Sequence, residues 1–272
     1  MPTVTLAGSP LSPGAGPVAL DYRDRPADAR GAGGDPVLVL HGGWGYAYYP
    51  FDAALAALPE RRFVIPDRTG YGRSPRIADL PPRFHLAAAI EHEEMRDALG
   101  VERAAIWGHS DGAVIAAIMA LRRPERVSAV ILEALHVDRR KPRSRAFFAQ
   151  MRDDPDAFGA KVTARLAADH GEDRWRDVLR AGGRAWLAIA ATPEDDFFDH
   201  RLGALAPRAL VLHGADDPRT EPDELAAIAR ALPQATLRLI EGGGHAPHCE
   251  RAVAAEATAI AAAFLRAGAA PT

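Results

Sequence analysis

The sequence predicts an α/β fold in which helices cover both faces of a mostly parallel, doubly wound sheet. From residue 37 onward, short apolar runs alternate with segments of helical length, as they do in successive βαβ units. One apolar run at 104–107 leads directly into Gly108-His109-Ser110-Asp111-Gly112, and an apolar helical stretch follows at 113–121. Functional groups in such a sheet gather at the carboxyl ends of the strands, so we expect the chemistry to lie at this junction.

The other elements are predicted by apolar runs and by turn-forming residues. Val18–Tyr22 is predicted as an early strand, and the Gly/Pro-rich stretch from Arg25 to Pro36 as a turn. Further strands are predicted at residues 37–40, 63–65, 104–107, 127–132, 209–212 and 236–240, and helices at 51–58, 83–99 and 113–121. Between residues 136 and 205 the alternation stops, and charged residues are mixed with scattered aromatic ones. This composition favours an amphipathic helical insertion that covers the serine-bearing turn.

The turn at 108–112 has the G-x-S-x-G spacing of a nucleophile elbow placed between a strand and a helix. Glycine is needed at positions 108 and 112 because a Cβ atom there would collide with the crossing strand or helix. Ser110 is therefore predicted to be presented as a nucleophile. A serine hydroxyl is a poor nucleophile by itself, so it needs a base, a carboxylate that orients the base, and donors that bind an oxyanion.

Candidates for the base and the acid follow later in the chain. His245 comes after three glycines in a loop that follows a predicted strand, and it is the candidate base. Asp217 fits the Gly-x-x-Asp spacing after another strand, whereas its neighbour Asp216 does not, so Asp217 is the candidate acid. The chain order serine, acid, histidine is one of the known orders of such a triad. His248 lies near His245, and we interpret it as a structural hydrogen-bonding residue.

Oxyanion donors are predicted from backbone N–H groups. One is the N–H of Asp111, which follows the nucleophile, and the other is that of Gly43, with Trp44 as the alternative, in the glycine-rich loop after the strand at 37–40. The Asp111 side chain has two interpretations. A carboxylate is favoured at a helix start, and a carboxylate beside the nucleophile could also attract a substrate that carries an ammonium group.

Taken together, these residues resemble a serine hydrolase of the α/β-hydrolase superfamily. The matching segments are His41-Gly42-Gly43, Asp67–Ser74, the elbow at 108–112, Gly214–Asp217 and Gly244–His248. Within the superfamily, the Gly-His-Ser-Asp-Gly elbow together with Ile131–His136 is similar to a group of small bacterial esterase-like proteins. The resemblance implies an α/β-hydrolase core formed by residues 1–135 and 206–272, a helical cap formed by residues 136–205, and hydrolysis without a cofactor.

The expected reaction is cleavage of a carboxylic ester through an acyl-enzyme. The same triad could cleave an amide, a lactone or a carbon–carbon bond, or form a peracid, and a receptor-like module with little turnover is the alternative from another class. A dehalogenase or epoxide hydrolase is disfavoured because those members carry aspartate at the position of Ser110. Residues expected to line the substrate pocket are Trp44, Asp111, His136, Trp175 and Trp186. The alternative for any one aromatic residue of the insertion is that it packs the insertion onto the core.

Composition excludes several other classes of function. The 272 residues carry a formal net charge of −3 with no basic run longer than Arg139-Arg140-Lys141, so the positive surface of a nucleic-acid-binding protein is missing. The first residues do not have the pattern of a signal peptide, and the apolar stretch at 252–265 is too short to span a bilayer. The single cysteine, Cys249, fits a reducing compartment. We expect a cytoplasmic monomer or homodimer that binds a small ester-like molecule, without nucleic acid, membrane, metal or cofactor.

Overall fold

The computed structural model describes residues 1–28 and 34–267, which are built around an eight-stranded sheet. The strands are β1 (Thr3–Leu6), β2 (Val18–Arg25), β3 (Val37–Leu40), β4 (Phe63–Pro66), β5 (Ala104–His109), β6 (Val127–Glu133), β7 (Arg208–Gly214) and β8 (Thr236–Ile240). Their order across the sheet is β1-β2-β4-β3-β5-β6-β7-β8. Strand β2 pairs antiparallel with β1 and β4, and the other neighbours pair in parallel. The predicted fold class, α/β with a mostly parallel sheet, is confirmed.

Helices cover both faces of this sheet. They are α1 (Asp52–Ala57), α2 (Phe84–Ala98), α3 (Asp111–Arg122), α4 (Arg145–Asp153), α5 (Ala160–His170), α6 (Trp175–Ala191), α7 (Glu224–Ala231) and α8 (Ala254–Arg266). Side chains of a strand point alternately to its two faces, and in β3 Leu38 and Leu40 pack in the core layer that contains α2 and α3. Val37 and Val39 pack in the layer that contains α1 and α8. Both layers exclude water, so β3 reads as a continuous apolar run.

The centre of the sheet positions the predicted elbow. Strand β5 lies between β3 and β6, and Gly108 of β5 is paired with Leu40 of β3 and Leu132 of β6. These three parallel strands therefore end at the same edge. The segments that follow them, which begin at His41, Ser110 and Ala134, must meet there.

Helices α4, α5 and α6 all lie in the segment between β6 and β7, where the sequence predicts a helical insertion. Helix α4 packs along α6, and the rings of Phe148 and Trp186 stack with centroids 5.2 Å apart. Phe148, Trp186 and their buried neighbours belong to the same apolar layer as α2 and α3. Burial of this face explains why the segment combines aromatic residues with a charged outer face.

Several predicted boundaries differ from the structure. Strand β1 is absent from the sequence prediction because it is a short edge strand in which only Val4 and Leu6 are buried, too few positions to display an alternation. Strand β2 continues to Arg25, three residues beyond the predicted strand. The predicted turn from Arg25 to Pro36 includes residues 29–33, which lie outside the described residues. Within the described chain, no helix is long and apolar enough to cross a membrane.

Candidate active site

Ser110 sits between β5 and α3 in a strained backbone conformation, with φ 57° and ψ −120°. Such a conformation costs free energy and persists only where the surroundings enforce it. A Cβ atom built on Gly108 would lie 2.0 Å from the carbonyl oxygen of Gly112, and one built on Gly112 would lie 2.0 Å from that of Leu40. Both glycines are therefore required by the close approach of the crossing backbone, for the reason that the sequence predicted.

The structure brings the three predicted catalytic residues together. The Ser110 hydroxyl oxygen lies 3.0 Å from Nε2 of His245, which follows β8. On the other side of the ring, Nδ1 of His245 lies 2.9 Å from Oδ2 and 3.1 Å from Oδ1 of Asp217, which follows β7. If Nδ1 carries the proton and donates it to this carboxylate, Nε2 is left free to accept the proton of the serine hydroxyl. This geometry suits general-base activation of a nucleophile.

The environment of Asp217 keeps its carboxylate ionised. Burial alone would raise its pKa, but the neighbouring imidazoles of His245 and His213 lower the pKa well below the usual range. The backbone N–H of Arg219 also donates a hydrogen bond of 2.8 Å to Oδ1. Asp216, the alternative acid, is exposed to solvent, and in the described residues only its backbone N–H is bonded, to the carbonyl oxygen of Gly243.

The predicted oxyanion donors are available at the same edge of the sheet. In residues 1–28 and 34–267, the backbone N–H groups of Gly43, Trp44 and Asp111 have no hydrogen-bond acceptor. The loop after β3 touches the start of α3, because a Cβ atom built on Gly43 would lie 2.8 Å from Oδ2 of Asp111. His170, in helix α5, forms a hydrogen bond of 3.1 Å from its Nε2 to the Trp44 carbonyl oxygen. This bond holds the loop in place. Free N–H groups at a loop and a helix start can bind developing negative charge.

The side chain of Asp111 is surrounded by donors of this chain. The Trp186 indole N–H donates to Oδ1 at 3.0 Å, and Nε2 of His85 lies 3.1 Å from the same oxygen. The guanidinium of Arg68 lies 3.5 Å from Oδ2. Burial would raise the pKa of Asp111, but His85 and Arg68 lower it, so the group stays charged. This arrangement favours a structural role, in which Asp111 bonds the inserted segment to the core, over capture of a substrate ammonium group.

Two other histidines near the site have structural contacts. The His109 ring is buried, and its Nε2 donates a hydrogen bond of 2.9 Å to the backbone carbonyl of His245. Burial, with the nearby His245 and His248, lowers the pKa of His109 to about 3. Both ring nitrogens of His248 face acceptors, with Nδ1 2.7 Å from the Glu133 carboxylate and Nε2 3.1 Å from the Tyr49 carbonyl oxygen. These contacts hold the loop that carries His245.

A cleft of about 550 Å³, including its mouth, opens above Ser110 between the core and the inserted segment. Four of the five predicted pocket residues line it, namely Trp44, Asp111, His136 and Trp186. The prediction was wrong for Trp175, which does not line the cleft. Its side chain is buried in the core layer at the start of α6, with the guanidinium carbon of Arg176 4.3 Å from the ring centroid.

Residues that the sequence did not single out as site residues also line the cleft. They are Tyr49, Lys141, Ser144, Phe147, Phe148, Met151, Gly182 and Arg219. Phe147 and Phe148 could have been found as an aromatic pair in the insertion, but no motif marks Lys141 or Arg219. Half of these residues have apolar or aromatic side chains, and such side chains are usual in a cavity that binds a small organic molecule.

His136 lies beside the candidate nucleophile Ser110. Its Nε2 is 3.5 Å from the Ser110 hydroxyl oxygen, and its ring stacks on that of His245 with centroids 5.7 Å apart. Its Nδ1 has no hydrogen-bond partner among the described residues. Burial, followed by the charge of Lys141, lowers the pKa of His136 well below its usual value, so the ring is neutral. A neutral imidazole here can contact a substrate without competing for the proton of His245.

Comparison with known proteins places this site in a family. The family model described as alpha/beta hydrolase fold matches residues 35–172. The chain is 29% identical to 2-hydroxymuconate semialdehyde hydrolase of Pseudomonas putida over 240 residues, which cover 80% of this chain and 83% of that protein. A thermophilic esterase from Thermogutta terrifontis superposes with a TM-score of 0.72 at 21% identity and covers 99% of this chain and 100% of its own. An enol-lactonase from Burkholderia xenovorans superposes with a TM-score of 0.66 at 21% identity, covering 92% and 97%. The chain belongs to the alpha/beta hydrolase family.

Proposed function

We propose that this hydrolase cleaves a carboxylic ester, with Ser110, His245 and Asp217 as its catalytic triad. The observation that carries the proposal is the hydrogen-bonded series from the serine hydroxyl through His245 to Asp217, with distances of 3.0 and 2.9 Å. Nucleophile, base and orienting acid are each within direct hydrogen-bonding reach of the next. The apolar cleft above the serine supplies room for the acyl group.

In the first half of the reaction, the Ser110 oxygen attacks the ester carbonyl carbon while His245 Nε2 takes the hydroxyl proton. The former carbonyl oxygen becomes an oxyanion, which the N–H groups of Gly43 and Asp111 bind. When the tetrahedral intermediate collapses, the bond to the alcohol oxygen breaks, and His245 returns the proton to the leaving alkoxide. In the second half, water attacks the acyl-serine with His245 again as the base, and the carboxylic acid and free Ser110 are formed.

A second candidate is hydrolysis of a carbon–carbon bond by the same triad. The observation that favours it is the 29% identity to a 2-hydroxymuconate semialdehyde hydrolase, because the substrate in that protein's name contains neither an ester nor an amide. The two candidates share the nucleophile and differ in the leaving group. In the ester reaction an oxygen receives the proton, whereas in the carbon–carbon reaction a carbon must receive it. Measured turnover of a p-nitrophenyl ester would favour the first candidate.

The experiment compares the wild-type enzyme with Ser110→Ala on short-chain p-nitrophenyl esters. We expect turnover in the wild-type enzyme and a loss of about 10⁶-fold in kcat in the variant, the scale seen when such a serine is removed from a well-studied protease. A fluorophosphonate should add to Ser110, as read by mass spectrometry. Ser128→Ala, in β6 and away from the cleft, is the matched control and should keep full activity. A stoichiometric burst without turnover would support a receptor-like module instead.

A further inference from the structure

Arg219 occupies a defined position at the mouth of the candidate site. It follows Asp217 by two residues in the turn after β7 and lines the same cleft as Ser110. Its backbone N–H bonds the Asp217 carboxylate, so its main chain is fixed relative to the triad. Its guanidinium carbon lies 3.1 Å from the centroid of the Phe147 ring, which also lines the cleft. Stacking on an aromatic face leaves the edge of a guanidinium, with its N–H groups, free to donate.

The guanidinium of Arg219 has no acidic partner in the described part of the chain. No carboxylate oxygen lies within 4.0 Å of it, and none of its side-chain N–H groups donates a hydrogen bond there. The other charged side chains that line the cleft have partners: Lys141 lies 2.5 Å from Glu224, and Asp111 is bonded as described above. The nearby Asp217 carboxylate contacts the imidazoles of His245 and His213. Among the charged side chains of the cleft, Arg219 is therefore the one whose N–H donors have no acceptor in the described residues.

The Arg219 side chain is half-buried, so its unused donors are open to a ligand that enters the cleft. Burial lowers the pKa of Arg219, because the charged form loses part of its hydration. Transfer of a charge out of water costs free energy unless hydrogen bonds compensate for it. A guanidinium presents five N–H donors in a planar fork, and a carboxylate matches this fork with two parallel hydrogen bonds.

We infer that Arg219 binds a carboxylate of the substrate, so that the preferred substrate is an ester with an apolar body and a free carboxylate. The inference rests on the proposed function, since it names the substrate class of that same site. The walls formed by Phe147, Phe148, Met151 and Trp186 contact the apolar body. Binding adds no covalent step, because the carboxylate is held at a distance from the reacting carbonyl. The arginine is therefore a specificity residue.

The experiment uses pairs of substrates that differ in one carboxylate. Mono-p-nitrophenyl succinate, glutarate and adipate are compared with p-nitrophenyl butanoate, valerate and hexanoate, which are neutral and of equal chain length. A carboxylate on the alcohol side is tested with 4-acetoxybenzoate against phenyl acetate. The variants are Arg219→Gln and Arg219→Lys, and the matched control is Arg230→Gln, which removes the same charge from the exposed surface of α7.

We expect Arg219→Gln to lower kcat/KM for at least one anionic ester by about 10- to 100-fold and for its neutral partner by less than about threefold, the scale of one charge-assisted contact. Arg219→Lys should recover part of the loss, because it keeps the charge without the fork. Arg230→Gln should change both members of each pair by less than about twofold. Equal losses on the anionic and neutral members of every pair would overturn the inference.

Binding to the Ser110→Ala protein separates this inference from the proposed function. Mono-p-nitrophenyl glutarate is titrated into Ser110→Ala and into Ser110→Ala with Arg219→Gln, with p-nitrophenyl valerate as the neutral reference. Weaker binding of the anionic ester alone on loss of Arg219 supports the carboxylate site, even if the wild-type enzyme hydrolyses neither ester. If the wild-type enzyme hydrolyses the esters and no pair responds to Arg219, the proposed function stands and the carboxylate site fails. Circular dichroism melting verifies that each variant is folded.

Discussion

At the residue level, two adjacent aspartates have sharply different environments. Asp217 is buried, faces Nδ1 of His245 and receives a backbone N–H, whereas Asp216 is exposed. A one-residue slip in the turn after β7 would exchange them. The Gly-x-x-Asp spacing, counted from Gly214 at the end of β7, selected Asp217.

We expect Asp217→Asn to lower kcat for a neutral ester by about 10⁴-fold, because an amide in place of the carboxylate favours the wrong imidazole tautomer and does not stabilise the imidazolium. Asp216→Asn is the matched control, with the same chemical change one residue away, and should keep nearly full activity. Steady-state kinetics on p-nitrophenyl butanoate measure both variants. A greater loss from the change at residue 216 would assign the acid to that position.

Some residues of the candidate site could be predicted from the sequence, and others could not. The serine, the acid and the base follow recognisable glycine-containing patterns, so their meeting at one edge of the sheet could be predicted. The partners of the Asp111 side chain could not, because Arg68, His85 and Trp186 come from three distant segments that only the packed fold brings together. Arg219 carries no signal in the sequence for the same reason: an unpaired arginine is recognised only when its surroundings are known.

At the level of elements, helix α5 holds the glycine-rich loop that follows β3. His170 accepts the backbone N–H of Gly72 at Nδ1, 3.0 Å away, and donates from Nε2 to the Trp44 carbonyl oxygen. Asp169 accepts the backbone N–H of Ala47 at 3.0 Å. The inserted segment therefore positions the loop that should supply an oxyanion donor, although α5 makes no contact of its own with the reacting atoms.

We expect His170→Ala to lower kcat for neutral esters by about 10- to 100-fold with a smaller change in KM, because the N–H groups of Gly43 and Trp44 lose their fixed position. The loss should stay below that caused by complete removal of an oxyanion donor, about 10²- to 10³-fold. Thr163→Ala, half-buried in the same helix and away from the cleft, is the matched control. A rise in KM without a fall in kcat would show that α5 acts on substrate binding alone.

The core elements could be predicted more fully than the inserted segment. Strands β3 and β5 to β7 are buried between helices and appear as apolar runs, but the helices of the insertion pack on one face and have no neighbouring strands that mark their bounds. The error for Trp175 arises there. Trp175 and Trp186 share one face of α6 but are separated by about 16 Å along its axis, so only one of them reaches the cleft. Sequence periodicity gives the face of a helix and not which end approaches the site.

For the molecule as a whole, the buried pair Glu133 and His248 joins the end of β6 to the loop that carries His245. Glu133 also accepts the Trp107 indole N–H at 2.8 Å and the His248 backbone N–H at 3.0 Å. Both partners are removed from water. Burial opposes both charges, but the attraction of the pair lowers the pKa of Glu133 below its usual value and raises the pKa of His248 above its own.

These pKa shifts predict that the free energy of unfolding decreases on both the acidic and the alkaline side of an optimum pH. The contribution of Glu133 is present above its unfolded pKa of 4.5 and is lost as the pH falls below that value toward its lowered folded pKa. The contribution of His248 is present below its unfolded pKa of 6.5 and is lost as the pH rises from there toward its raised folded pKa. Stability from this pair is therefore greatest between pH 4.5 and 6.5.

Urea unfolding of the wild-type protein and His248→Gln, followed by circular dichroism between pH 4.5 and about 10, measures the effect. The wild-type unfolding free energy should decline above pH 6.5 more steeply than that of the variant, which lacks the titrating group. Equal slopes in the two proteins would show that the pair is not ionised in the folded state. His200→Gln removes an exposed histidine and is the control for a general loss of imidazole.

Asp111 has one role in the core and another in the contact with the inserted segment, so the two parts of the protein do not vary independently. Its backbone belongs to the elbow, and its carboxylate accepts the indole N–H of Trp186 from the inserted segment. An insertion grafted from another family member would leave that oxygen with His85 and Arg68 alone unless it supplied a donor at the same place. Exchange of the segment for a new substrate range therefore has to be designed together with residue 111, so the nucleophile's neighbour constrains which insertions this core accepts.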